Sequence, residues 1–132
     1  MFFKTVKYTD FNGVKRTEDY YFHFSQAELM EMELAREGGF SARVQRIVDA
    51  NSKSELIKIM KQFVLDAYGV KSEDGRRFMK NDEIRQSFLE SPAYSIIFME
   101  LATDDVAAAE FINGVTPEGM PKPDFPAISA TN

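Results

Sequence analysis

The sequence predicts an α+β protein, mainly α: an N-terminal β-hairpin, then an irregular bundle of about five or six helices, then a flexible Pro-rich C-terminal tail. Three observations predict it. Residues 1–24 alternate around Asn12-Gly13, a turn dipeptide that tolerates positive φ. Between 25 and 114, apolar residues recur at helical spacing and cap signals punctuate them. After Gly114 the periodicity vanishes, and Pro117, Pro121, Pro123 and Pro126 fall within ten residues. One compact domain is expected over 1–114, with the hairpin at 1–24, the bundle at 25–114 and the tail at 115–132.

Taking Asn12-Gly13 as a two-residue loop sets a register. Lys7 then faces Glu18, Asp10 faces Lys15, Phe3 faces Phe22 and Thr5 faces Tyr20. Each such pair contributes roughly 0.2–1 kcal/mol. The aromatic base is expected to pack on the domain while the polar tip projects. The hairpin is marginal alone, and its outer edge is open to pairing with a second copy, so a homo-oligomer is a possible state.

Ser25-Gln26-Ala27-Glu28 is a capping-box pattern opening a helix through Leu29, Met30, Met32 and Leu34, with Gly38-Gly39 as its stop. Phe40 to Ala50 reads as a second helix, with Phe40, Val44, Ile47 and Val48 on one face. Ser52-Lys53-Ser54-Glu55 repeats the capping pattern before the cleanest apolar stripe, Leu56, Ile59, Met60, Phe63, Val64 and Ala67, and Gly69 is the expected stop. Val70 to Lys80 reads as a loop or tight hairpin around Asp74-Gly75. Asn81 caps a short helix with Ile84, Phe88 and Leu89. Pro92 suits the first turn of the next helix, which carries Tyr94, Ile96, Ile97, Phe98 and Leu101. Thr103 is the expected start of the last helix and Gly114 its end.

The chain holds 132 residues, no Cys, no Trp and one His. Disulfides, Cys-based zinc sites and thiol catalysis are excluded. His23 is the one candidate imidazole, it has no visible base, nucleophile or ligand partner, and it reads as structural. Asp104-Asp105 reads as helix-start chemistry, Ser72 to Gly75 as a turn lacking calcium-loop ligands, and Gly38-Gly39 as no phosphate loop. No catalytic residue, metal site or cofactor site is expected. The net charge of −5 argues against a nucleic-acid binder. No run of about 18 apolar residues exists, so no transmembrane helix is expected, and the first residues lack a signal-peptide pattern.

The charge is unevenly placed. Residues 25–37 net −3 and 92–114 net −4, the latter with no positive side chain, whereas 38–69 and 70–80 net +2 each. Twelve Phe, five Tyr and seven Met supply bulky, adaptable contact area. Met30, Met32, Phe88, Phe98 and Met99 exceed what a small core obviously needs, and an exposed subset would form a docking surface.

Specific runs of residues add a family likeness. Tyr8-Thr9-Asp10-Phe11-Asn12-Gly13-Val14, Arg16 to Phe22, and Glu31-Met32-Glu33-Leu34 with Glu37-Gly38-Gly39 resemble the start of siphophage tail assembly chaperones. The resemblance continues through Gln45 to Ala50, Ala67-Tyr68-Gly69 and Ser72 to Phe78, and closes with Phe98 to Asp104 and Ala109 to Gly114. It implies a non-catalytic bacteriophage protein of the host bacterial cytoplasm, absent from the mature virion. Such chaperones bind the tape measure protein, keep it soluble and help recruit the major tail tube protein. Many are made in a short form and a frameshifted long form, and this chain resembles the short form. The implied client surface is an apolar groove of Met30, Met32, Phe88, Phe98 and Met99, with the acidic Glu100, Asp104 and Asp105 facing basic stretches of the client. The alternative class is a structural tail protein, a tube or connector subunit assembling through its hairpin.

Overall fold

A computed structural model describes residues 1–34, 39–120 and 122. Strands β1 (Phe2–Thr9) and β2 (Lys15–Phe22) form the expected antiparallel hairpin. Six helices follow among the described residues: α1 (Gln26–Leu34), α2 (Gly39–Asp49), α3 (Lys53–Ala67), α4 (Asp82–Leu89), α5 (Pro92–Thr103) and α6 (Asp105–Val115). Between α3 and α4 lie two short strands, β3 (Tyr68–Lys71) and β4 (Phe78–Met79). The protein is therefore α+β and mainly α, as its patterning predicts. The hairpin does not stand alone, however: β3 pairs with β2, and a four-stranded antiparallel sheet results in the order β1-β2-β3-β4.

The register differs from the expected one by a single residue. Phe2 faces Phe22, Phe3 faces Tyr21, Thr5 faces Asp19 and Lys7 faces Thr17. A type I′ turn would need positive φ at both Asn12 and Gly13, and of these two only Gly13 has it, at 81°. The loop has three residues instead. Gly13 N–H donates to Asp10 O at 3.0 Å, and Asp10 N–H donates to Val14 O at 2.8 Å. The Asp10 carboxylate accepts from the Asn12 and Val14 amides, both at 2.9 Å, and from Arg16 at 2.6 Å. That side chain takes up donors that a two-residue loop would have left to the backbone. The shift reassigns both faces. Phe2, Lys4, Val6 and Tyr8 now point inward, and Phe3 points to solvent at 58% exposure.

Arg16 first, then the Val14 and Asn12 amides, hold the Asp10 carboxyl below its usual 3.8. A depressed carboxyl supports the turn above its unfolded pKa and loses that support as pH falls through the folded value. Followed by NMR, the Asn12 and Val14 amide shifts are expected to titrate with a midpoint below 3.8. A midpoint at or above that value would contradict the turn geometry.

Helix boundaries follow from caps, with four corrections. The first capping box forms: Glu28 N–H donates to Ser25 Oγ at 3.1 Å, and Ser25 N–H to Glu28 Oε1 at 3.0 Å. At Ser52 the second box does not form, since that residue precedes α3 without a side-chain cap bond. Gly69 is not a helix stop. It lies in β3 opposite Tyr21, where a Cβ would stand 2.6 Å from the Phe78 ring. Thr103 ends α5, and the cap of α6 is Asp104, which accepts from Val106 N–H and Ala107 N–H. Gly114 sits inside α6, where a Cβ would meet Phe2 Cβ at 2.8 Å, and the helix runs on to the fully buried Val115. Asn81 caps α4 and Pro92 opens α5, both as expected, and Ser91 caps α5 by accepting from Tyr94 N–H. Gly38, part of the expected stop after α1, lies outside the described residues, as do Pro121 and residues 123–132 of the expected tail.

The core forms where the inner sheet face meets the helices, with α2 packed on α3. Phe22, Phe24, Phe63, Val44 and Val64 are fully buried there. Phe22 packs edge-on against Phe88 and Phe111, with ring centroids at 5.7 and 5.3 Å. Edge-to-face pairs add about 0.5–1.5 kcal/mol each beyond the area they bury.

Candidate partner-binding surface

The candidate residues begin on α1. Its capping box fixes the first turn, and Leu29 then anchors the helix in the core. Met30 is left outward at 58% exposure, followed by Leu34 at 79%. Met32, half-buried, turns the other way. It lines a cleft of about 180 Å³ with Phe40, Ile59 and Phe63 as apolar walls and Arg43, Gln62 and Asp66 as polar ones. Burial pushes the Asp66 carboxyl up, while its bond from Gln62 and the Arg85 charge pull it back.

A second group lies on α5 and α6. Ile97 and Leu101 bury one side of α5, leaving Ile96 and Met99 exposed at 43% and 54%. Phe98 is half-buried and stacks on Tyr94 with centroids 5.7 Å apart, and burial pushes the Tyr94 hydroxyl up to about 12. Glu100 accepts from Lys4 of β1 at 2.6 Å, so its charge is partly answered within the chain. Asp104 is exposed and caps α6, where its carboxylate satisfies two free amides at the positive end of the helix dipole. Asp105 stands beside it in the first turn, exposed, with Val106 at 66% exposure next in the chain.

Phe88 does not belong to a surface. It is 2% exposed and stacks on Tyr68 at 4.2 Å, with Tyr20, Phe22 and Tyr94 around it. The strands β2 and β3 bring those rings together, a non-local meeting that helical periodicity does not reveal. The remaining residues do not converge on one groove. Helix α1 packs chiefly on α2, whereas α5 packs on β1, α3, α4 and α6. They form an α1 patch of Met30 and Met32 and an acidic, apolar α5–α6 patch of Phe98, Met99, Glu100, Asp104 and Asp105.

Sequence reasoning missed several exposed groups. Leu34, Ile96 and Val106 lie off their helices' buried stripes and were findable on that ground. Phe11, 86% exposed at the hairpin tip, and Phe3 were hidden by the one-residue register error. His23 packs edge-on to Phe78 at 6.1 Å, and burial, then nearby positive charge, lowers its pKa.

No curated protein and no solved structure matches the chain. A family match does exist, and it spans the hairpin, all six helices and the residues just beyond them. Residues 1–124 match the family described as phage tail assembly chaperone. With that match over most of its length, the chain belongs to the phage tail assembly chaperones.

Proposed function

We propose that the protein binds the tape measure protein of a siphophage, keeps it soluble in the host cytoplasm and helps recruit the major tail tube protein around it. In this reading it is non-catalytic and leaves before the virion is complete. The observation that carries the reading is the family match over residues 1–124. The exposed Met30 and Met99 add support, because flexible thioether side chains adapt to many apolar contacts. The acidic α5–α6 patch suits basic stretches of a long helical client, and repeated copies along one client gain from multivalency.

Co-expression tests this. The tape measure protein is expected to move into the soluble fraction when this chain is present. Met30→Glu with Met99→Glu should abolish the effect while far-UV circular dichroism stays unchanged. Normal solubilisation by that double variant would overturn the surface assignment. Failure of the wild-type chain to raise client solubility would overturn the function itself.

A further inference from the structure

The open edge of the sheet has a defined hydrogen-bonding phase. β1 is the first strand in the order β1-β2-β3-β4 and, among the described residues, has one neighbour. The Asp10 N–H to Val14 O bond marks Asp10 as facing β2. Alternation along an antiparallel pair then turns Tyr8, Val6, Lys4 and Phe2 toward β2. On the far side of β2 the same phase recurs, since His23 N–H donates to Ala67 O. The backbone N–H and C=O groups of Phe3, Thr5, Lys7 and Thr9 therefore point away from the sheet. The side chains of these four residues are exposed as well.

The usual protections of an edge strand are weak here. β1 is eight residues long and contains no Pro and no Gly. One of its two lysines, Lys4, faces inward and is bound to Glu100 at 2.6 Å. Apolar groups flank the edge: Met1 and Phe3 are 55% and 58% exposed, and Ile96, one turn before Glu100 on the same side of α5, is 43% exposed.

The outer sheet face indicates the occupant. Tyr21 has the Lys71 ammonium 4.1 Å from its ring centroid, and Phe3 packs beside Tyr21 at 5.8 Å. Phe3 continues that aromatic row to the edge, where no cation of its own sheet follows it. The geometry points to a second copy of this chain as the group that does: β1 pairs antiparallel with β1 of the second copy across a two-fold axis at Thr5. Thr5 then faces Thr5, Lys4 faces Val6, and Phe3 faces Lys7 of the second copy. The row reads Lys71, Tyr21, Phe3, Lys7, so each exposed ring receives a cation. A register centred on Lys7 instead would place two lysines face to face. The two sheets become one eight-stranded sheet through an isologous contact. This does not rest on the identity of the client.

Sedimentation equilibrium of the full chain is expected to give twice the monomer mass. Thr5→Pro removes an outward N–H and leaves the backbone bonds to β2 in place, losing only the exposed Thr5 hydroxyl bond to Asp19, and should give a monomer with unchanged circular dichroism. The chain has no cysteine, so single introduced thiols report geometry cleanly. Thr5→Cys places two sulfurs at the axis, with Cα atoms about 5.5 Å apart, within disulfide reach. Thr9→Cys places them ~26 Å apart. Mild oxidation should therefore yield covalent dimer from Thr5→Cys and not from Thr9→Cys. A monomer at every concentration overturns the proposal, as does a dimer in which the two thiols cross-link equally. If Thr5→Pro fails to fold, the thiol pair decides alone. A monomer whose Phe3, Thr5 and Lys7 amides gain exchange protection only with tape measure protein would assign the edge to the client and overturn it too.

Discussion

Phe88→Ala is expected to lower the unfolding free energy by about 3–5 kcal/mol, read as a shift in the urea midpoint at constant slope. The ring is 2% exposed and stacked 4.2 Å from Tyr68. Its loss opens a cavity between two strands and two helices, bounded by Tyr20, Phe22, Tyr68 and Tyr94. Those rings come from β2, β3 and α5, so no local rearrangement closes the space. A destabilisation of that size is a large fraction of a typical domain's 5–15 kcal/mol. Phe98→Ala, removing a half-buried ring with one stacked neighbour, should cost clearly less. Equal losses at the two positions would contradict this placement of the core.

Lys80→Ala ranks second, with an expected loss of about 2–4 kcal/mol. The Lys80 side chain is 10% exposed, and its ammonium donates to His23 O and to Glu28 Oε2, both at 2.7 Å. It also lies 4.7 Å above the Phe24 ring. One side chain thus ties the residue after β4 to the end of β2 and to the first turn of α1. Burial lowers the Lys80 pKa, and the Glu28 bond opposes that shift. Removal leaves a carbonyl and a carboxylate without their cation. Lys80→Met separates the charge from the packing. Burial alone raises the Glu28 pKa, whereas the bonds from Lys80 and Ser25 outweigh it and hold the folded value below 4.5. With the lowered folded value, Glu28 supports the fold above its unfolded pKa and loses that support as pH falls through the folded one. In Lys80→Met this acid-side loss should begin at higher pH, as an NMR titration of Glu28 would show. An unchanged Glu28 titration would remove the ion pair from the account.

Local chemistry made most of the helices readable from sequence. Ser25 with Glu28, and Asn81, supply the oxygen that a helix start needs, Pro92 marks the first turn of α5, and the α3 stripe from Leu56 to Ala67 needs no tertiary information. Where two local signals competed, the reading slipped. Asn12-Gly13 suggested one turn, and the Asp10 carboxylate built another, which moved every cross-strand pair by one. The Gly69 signal was real, yet it marks a close approach to Phe78 rather than a helix end. Of the two readings of Val70 to Lys80, the tight hairpin around Asp74-Gly75 is the one that β3 and β4 form, whereas the pairing of β3 with β2 was illegible because it joins residues far apart in sequence. The candidate surface divides the same way. Met30 and Met99 lie outside their helices' buried residues and are exposed, but Phe88 reads as an ordinary amphipathic residue until distant rings close over it.

The last helix closes on the first strand. Gly114 lets α6 approach Phe2, Phe111 packs on both Phe2 and Phe22, and Phe24 N–H donates to Val115 O. On the ribosome this imposes a wait. The hairpin emerges nearly ninety residues ahead of Phe111, and at about 5–20 residues per second that interval is on the order of 5–20 s. Until then the inward face of a marginal two-stranded unit, with Phe22 upon it, has no α6 to cover it. Folding of the whole domain is therefore a late, end-dependent event in synthesis, and nascent chains halted before Phe111 should remain protease-sensitive at both strands.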